Sequence, residues 1–81
     1  MFYIYILKSV IDGSYYVGSC KNVNDRFLSH NKGLVKSTKR SVPWQLMYRE
    51  EYKTLSEARQ REAKIKSWKK RGAIEKLIKK Y

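Results

Sequence analysis

The stretch "FYIYILKSVIDGSYYVGSC", residues 2–20, decides the fold. Residues 2–8 alternate Phe2, Ile4 and Ile6 against Tyr3, Tyr5 and Leu7. A strand apolar on both sides belongs in the middle of a sheet, covered on both faces. Asp12-Gly13 supplies a hairpin turn, and "YYVGSC", 15–20, reads as the returning strand. Strand alternation sends Tyr15 and Tyr16 to opposite faces, so only one can join a given core. Gly18 follows two residues after Tyr16, and a glycine inside a strand marks a bulge or a close approach to the backbone.

Outward from the hairpin, Asn22 reads as an N-cap, with Asp25 in the first turn and Gly33 as the stop, predicting a helix over 23–32. At 100° per residue Val23, Arg26, Phe27 and His30 share one arc of that helix. The segment 32–43 has four basic residues and no acids and reads as a loop. Residues 45–52 read as a third strand, with Trp44, Leu46, Tyr48 and Tyr52 on one side. Thr54 and Glu57 form a capping box for a helix running to residue 70, and Gly72 reads as a break before a short last helix. The expected architecture is one domain, 1–81, of the α/β class in its α+β form: a small, mainly antiparallel three-stranded sheet flanked by helices, in the order β-β-α-β-α-α.

In the long helix Leu55, Ala58, Ile65 and Lys69 fall on one stripe, and Glu62 falls inside it. A carboxylate on a core-facing stripe needs a partner or a job. The partner available by spacing is Lys66, at i+4 in the favourable Glu-then-Lys order.

Charge bounds the function class. Nineteen Lys and Arg against seven Asp and Glu give a net charge of +12. The first 31 residues carry +1 of it and the remaining fifty carry +11. Such a surface suits a polyanion, because Lys and Arg release counterions condensed on phosphates. Lys36, Lys39 and Arg40 in the loop, with Lys64, Lys69, Lys70 and Arg71, are the expected backbone contacts. A single cysteine, Cys20, excludes an intramolecular disulfide and fits a reducing, cytoplasmic setting. One Cys and one His make no zinc site, so Cys20 reads as an ordinary small residue. No apolar run approaches membrane-spanning length, so no membrane partner is expected.

Four polar groups are therefore oddly placed: Tyr16 beside Gly18, Arg26 and His30 on one helix face, and Glu62 on an apolar stripe. Each alone has an ordinary account. Together they fit phosphodiester chemistry: a tyrosine or histidine moves a proton, an arginine holds phosphate bidentately, and one carboxylate holds a divalent ion that keeps its waters.

Over nearly its whole length the chain resembles a GIY-YIG nuclease domain, closest to the small stand-alone bacterial members. Tyr3-Ile4-Tyr5 stands for the first signature and Tyr16-Val17-Gly18 for the second. Arg26 lies ten residues after Tyr16, His30 one turn later, and "REAKIK" carries Glu62. The "HNKG" helix end and "SEARQRE" strengthen the likeness. The resemblance implies that Tyr16 polarises or deprotonates the attacking water, with His30 as an assistant, and that Arg26 binds the scissile phosphate. It implies that Tyr5 shapes the site, and that Glu62 is the one protein ligand of a single Mg²⁺ or Mn²⁺. It implies DNA cleavage to 5′-phosphate and 3′-hydroxyl ends, with Gly18 keeping the phosphate floor clear. The departures are Tyr3 in place of the signature glycine, and Ser19 where some members have a lysine. The substrate is expected to be DNA, branched and single-stranded forms included, with RNA open. The family serves repair, restriction, recombination and mobile elements, usually with a second domain choosing the target. In 81 residues no such domain is expected, leaving specificity to a protein partner or to DNA shape. Two alternatives stand beside the endonuclease: a non-catalytic nucleic-acid-binding module on the same fold, and a small basic structural protein.

Overall fold

The computed structural model describes residues 1–79. Its elements are β1 (Phe2–Ser9), β2 (Tyr15–Cys20), α1 (Val23–Asn31), β3 (Trp44–Tyr52), α2 (Leu55–Ser67) and α3 (Arg71–Lys79), with a 3₁₀ turn at Lys39–Ser41. The sheet is antiparallel in the order β2-β1-β3, so β1 is central, as its two-sided apolar pattern requires. The β-β-α-β-α-α order and the α+β class expected from the sequence are those observed.

Each face of β1 carries its own core. Ile4 and Ile6, fully buried, join Val17, Tyr48, Ala58 and Ile65 under α2, with Ile74, Leu77 and Ile78 of α3 packed alongside. Tyr5 and Leu7 join Val23 and Trp44 on the other face, where α1 lies. Tyr15 and Tyr16 divide between these cores, Tyr15 with the first and Tyr16 with the second.

The third strand departs from simple alternation. Ile6 pairs with Tyr48 but Leu7 pairs with Leu46, so Met47 is an extra residue in β3. A bulge of this kind reverses the phase of a strand. Trp44 and Leu46 therefore lie on the α1 face while Tyr48 and Tyr52 lie on the α2 face, not all four on one side as alternation alone predicts.

The helix ends also differ. The expected helix over 55–70 stops at Ser67, with Trp68 as C-cap, and Lys69 takes φ +53°. That left-handed residue, rather than Gly72, turns the chain; Gly72 lies inside α3, with open space around it. The caps expected at Asn22 and Thr54 both form, accepting hydrogen bonds from the backbone of Asp25 and Glu57. Among the described residues no helix is long and apolar enough to cross a membrane.

Glu50 of β3 ties the sheet to α2. It accepts hydrogen bonds from Tyr48, from Tyr52 at 2.6 Å, and from Arg61 Nε at 2.9 Å and Nη2 at 3.1 Å. Burial raises the Glu50 carboxyl's pKa, but the Arg61 and tyrosine bonds outweigh it and hold the group below the usual carboxylate range. Burial and the Glu50 hydrogen bond push Tyr52 up to about 12.

Candidate active site

The site grows from one cross-strand pair. Tyr5 of β1 faces Gly18 of β2 in register, and its ring lies over the glycine. A Cβ at residue 18 would stand 2.5 Å from the Tyr5 hydroxyl oxygen and 2.6 Å from Cζ. The group that comes close to Gly18 is therefore Tyr5. Gly18 is itself buried, and what its missing side chain leaves room for is this ring.

From there a chain of hydrogen bonds runs into the basic loop. Tyr5 Oη lies 2.9 Å from His30 Nε2, and His30 Nδ1 lies 2.8 Å from Thr38 Oγ1. The Thr38 hydroxyl donates to the Val35 carbonyl at 3.3 Å. That bond uses the only proton the threonine has, so His30 Nδ1–H donates to Thr38 and Nε2 accepts from Tyr5. Burial lowers the His30 pKa, and the nearby Arg26 cation lowers it further, in keeping with a neutral ring. Burial raises the Tyr5 pKa, with Tyr16 adding to the rise, while the Arg26 cation opposes it. The sequence does not signal Thr38: its role depends on a contact across eight residues of irregular chain. Asn31 and Trp44 are a further unsignalled pair. Asn31 Oδ1 accepts from the Trp44 backbone N–H at 2.6 Å and Nδ2 donates to the Trp44 carbonyl at 3.1 Å, closing the loop onto β3.

Tyr16 stands beside this chain. Its ring lies 4.8 Å from that of His30 and 6.3 Å from those of Tyr5 and Trp44, the last contact T-shaped. Tyr16 is half-buried, and among the described residues no protein group hydrogen-bonds its hydroxyl. Arg26 is exposed on the same face. Around the open edge of β2, Glu62 of α2 accepts from Lys66 Nζ at 2.6 Å, and the same Nζ lies 6.0 Å from the centre of the Tyr16 ring. The Glu62–Lys66 pair expected from spacing forms, and it forms next to Tyr16. The structure thus brings Tyr5, Tyr16, Arg26 and His30 together, with Glu62 reached through one lysine.

Residues 1–79 match the GIY-YIG catalytic domain. The chain belongs to the GIY-YIG family. A UPF0213 protein of Staphylococcus epidermidis is 46% identical over 67 residues, covering 82% of this chain and 80% of that one. A UPF0213 protein of Staphylococcus saprophyticus is 44% identical over 77 residues, covering 94% and 92%. The solution NMR structure of a UPF0213 protein from Bacillus halodurans superposes with a TM-score of 0.61 at 31% identity, over 98% of this chain and 84% of that one. Membership in the GIY-YIG family places the chain among nuclease-type domains, whose substrates are nucleic acids.

The expected basic contacts divide by place. Lys36, Lys39 and Arg40 are exposed around the loop that Thr38 anchors. Lys64, Lys69, Lys70 and Arg71 are exposed along α2 and the corner into α3. Cys20 is half-buried and free, its thiol pushed up by burial.

Proposed function

We propose that this protein is a divalent-metal-dependent endonuclease that hydrolyses DNA phosphodiesters to 5′-phosphate and 3′-hydroxyl ends. The observation that carries the reading is the Tyr16 hydroxyl: no described residue hydrogen-bonds it, and its ring packs against His30 and beside the Lys66 that pairs with Glu62.

Glu62 fits a metal of the Mg²⁺ or Mn²⁺ type. Its carboxylate already attracts a cation, the Lys66 ammonium, at the edge of the Tyr16 site. Among the described residues no three His, Cys, Asp or Glu side chains converge, so an all-protein cage for a softer metal is absent. A single carboxylate suits an ion that retains waters and completes its shell with substrate oxygens. Bound there, such an ion supplies Lewis-acid stabilisation of the leaving oxygen.

The chain's own residues do the rest. Arg26 binds the scissile phosphate, its fork matching two phosphate oxygens. Tyr16 acts as its phenolate, its own proton released to solvent beforehand, and takes the proton of the attacking water to become the neutral phenol. His30 supports the site from below: it is fully buried, with both ring nitrogens in hydrogen bonds, so its part is to hold Tyr5. Tyr5, donating to His30, is fixed as the buried wall beside Tyr16.

The test is strand cleavage on single-stranded, duplex, flap and branched DNAs with Mg²⁺ or Mn²⁺. Tyr16→Phe should fold normally and cut turnover by about 10² or more, in line with loss of a general base. Glu62→Gln should abolish divalent-dependent cleavage while DNA binding survives. If Glu62→Gln cleaves like wild type, the non-catalytic nucleic-acid-binding module is the better reading.

A further inference from the structure

On the opposite face of β2 from Tyr16 lies a cavity of about 370 Å³. It is formed where Tyr15 and Val17 of β2 meet the corner between α2 and α3. We propose that this cavity is a nucleotide subsite, holding one unpaired nucleotide of the substrate strand next to the phosphate at Tyr16. The proposal rests on the nucleic-acid reading of the Tyr16 site, which supplies the neighbouring phosphate.

The lining has two chemistries. Its floor is apolar, from Val17, Ile65 and Ile74, with the half-buried Tyr15 ring as one wall. Among the described residues, the charged ones that line it are the cations Lys66, Lys69, Lys70 and Arg71, while the Tyr15 hydroxyl donates to Glu75 at 3.5 Å. Arg71 lies 5.3 Å from the centre of the Tyr15 ring, and Lys8 lies 5.7 Å from it, outside the cavity. A nucleotide needs this combination, a flat apolar and aromatic surface for the base and cations for the phosphate. A free inorganic anion makes no use of the floor, and a stacked base pair in a duplex cannot reach it without leaving the stack.

Lys69 separates a functional rim from a merely solvated one. Its φ of +53° puts it in the left-handed region that helix-ending glycine or asparagine normally fills. A lysine there carries a backbone cost that glycine would avoid. The chain thus keeps a long cation at a position where stability favours none, and that cation lines the cavity. Lys66 joins the two sites: it lines this cavity while pairing with Glu62 beside Tyr16. Since β2 is an edge strand, a nucleic-acid strand can pass over its open side from the Tyr16 face to the Tyr15 face.

The experiment is equilibrium binding of the full chain in EDTA to three labelled DNAs: a duplex, the same duplex with one unpaired nucleotide, and that duplex with the unpaired nucleotide abasic. The unpaired nucleotide should tighten binding by about tenfold, the scale of stacking one base, and the abasic form should lose most of that gain. Lys69→Gly should melt at or above the wild-type temperature yet lose several-fold of the preference. Equal affinity for all three DNAs overturns the subsite. An abasic site bound as tightly as the intact nucleotide reduces it to a phosphate site and overturns the nucleotide reading. A preference unchanged in Lys69→Gly refutes the rim. Because no cleavage is involved, failure of the nuclease reading is separate. Selective binding without cleavage in Mg²⁺ leaves the subsite standing, cleavage without selectivity removes it, and no binding to any DNA removes both.

Discussion

Gly18→Ala puts the structural and the substrate-approach roles of the glycine in direct opposition. The added Cβ would stand 2.5 Å from Tyr5 Oη, 2.6 Å from Cζ and 3.0 Å from Cε1. Tyr5 is 1% exposed and cannot swing outward. Forcing the ring aside overpacks the core, at about 1–3 kcal/mol. It also breaks the 2.9 Å bond to His30 and leaves a buried ring nitrogen unpaired, at about 1–3 kcal/mol more. For a domain of this size each kcal/mol moves Tm by roughly 4–8 °C, so the combined cost of about 2–6 kcal/mol corresponds to a fall of roughly 10–50 °C. Thermal unfolding by circular dichroism in EDTA reads it directly. Tyr5→Leu in the Gly18→Ala background removes the colliding ring, and the pair should be less destabilised than the sum of its single changes by about 1 kcal/mol or more. If Gly18 serves only to admit a phosphate, Gly18→Ala melts like wild type and loses cleavage alone. A Tm within about 3 °C of wild type would refute the reasoning.

Three other outcomes follow from the same geometry. Because His30 is held below its usual pKa near 6.5, the native state binds fewer protons than the unfolded chain under mildly acidic conditions. Urea-unfolding stability should therefore be full above pH 7 and fall from pH 7 toward 5, approaching about 1.4 kcal/mol per unit; a flat profile there contradicts the buried neutral ring. Glu50→Ala should cost about 2–4 kcal/mol, because it strands Arg61 and two tyrosines, whereas Glu62→Gln removes a surface pair worth about 0.5 kcal/mol at most; comparable Tm shifts for the two would overturn that contrast. DNA affinity should fall steeply with salt, with a log–log slope near −0.9 for each duplex phosphate neutralised, and insensitivity to salt would assign the charge to solubility.

Much of this molecule is legible where the signal is local. The Asp12-Gly13 turn, the two-sided pattern of β1 and the caps at Asn22 and Thr54 each act within a few residues, and each forms as expected. The spacing of Glu62 and Lys66 is likewise a helix property, and the pair is made. What the sequence hides depends on contacts between distant segments or on conformations an unusual residue can adopt. Lys69 turns the chain where Gly72 advertises a break, because backbone strain at one residue can be outweighed by packing of α3 on the core. Thr38 carries no mark of its role, since nothing near it announces a partner on α1.

The bulge at Met47 is the deepest of these, because the site depends on it. Counting by twos through β3 puts Trp44 on the face of Tyr48, under α2. With one residue extra, Trp44 instead turns to the α1 face, where its ring meets Tyr16 edge-on and its backbone is clasped by Asn31. Its indole N–H donates to the Thr38 carbonyl at 3.0 Å, fixing the residue whose hydroxyl orients His30. A strand without the bulge would keep the sheet and the three helices but move the wall of Tyr16 and the anchor of Thr38 to the opposite side of the sheet. The fold therefore follows from patterns that any small α+β domain could carry, and the site follows from the single place where β3 breaks its pattern.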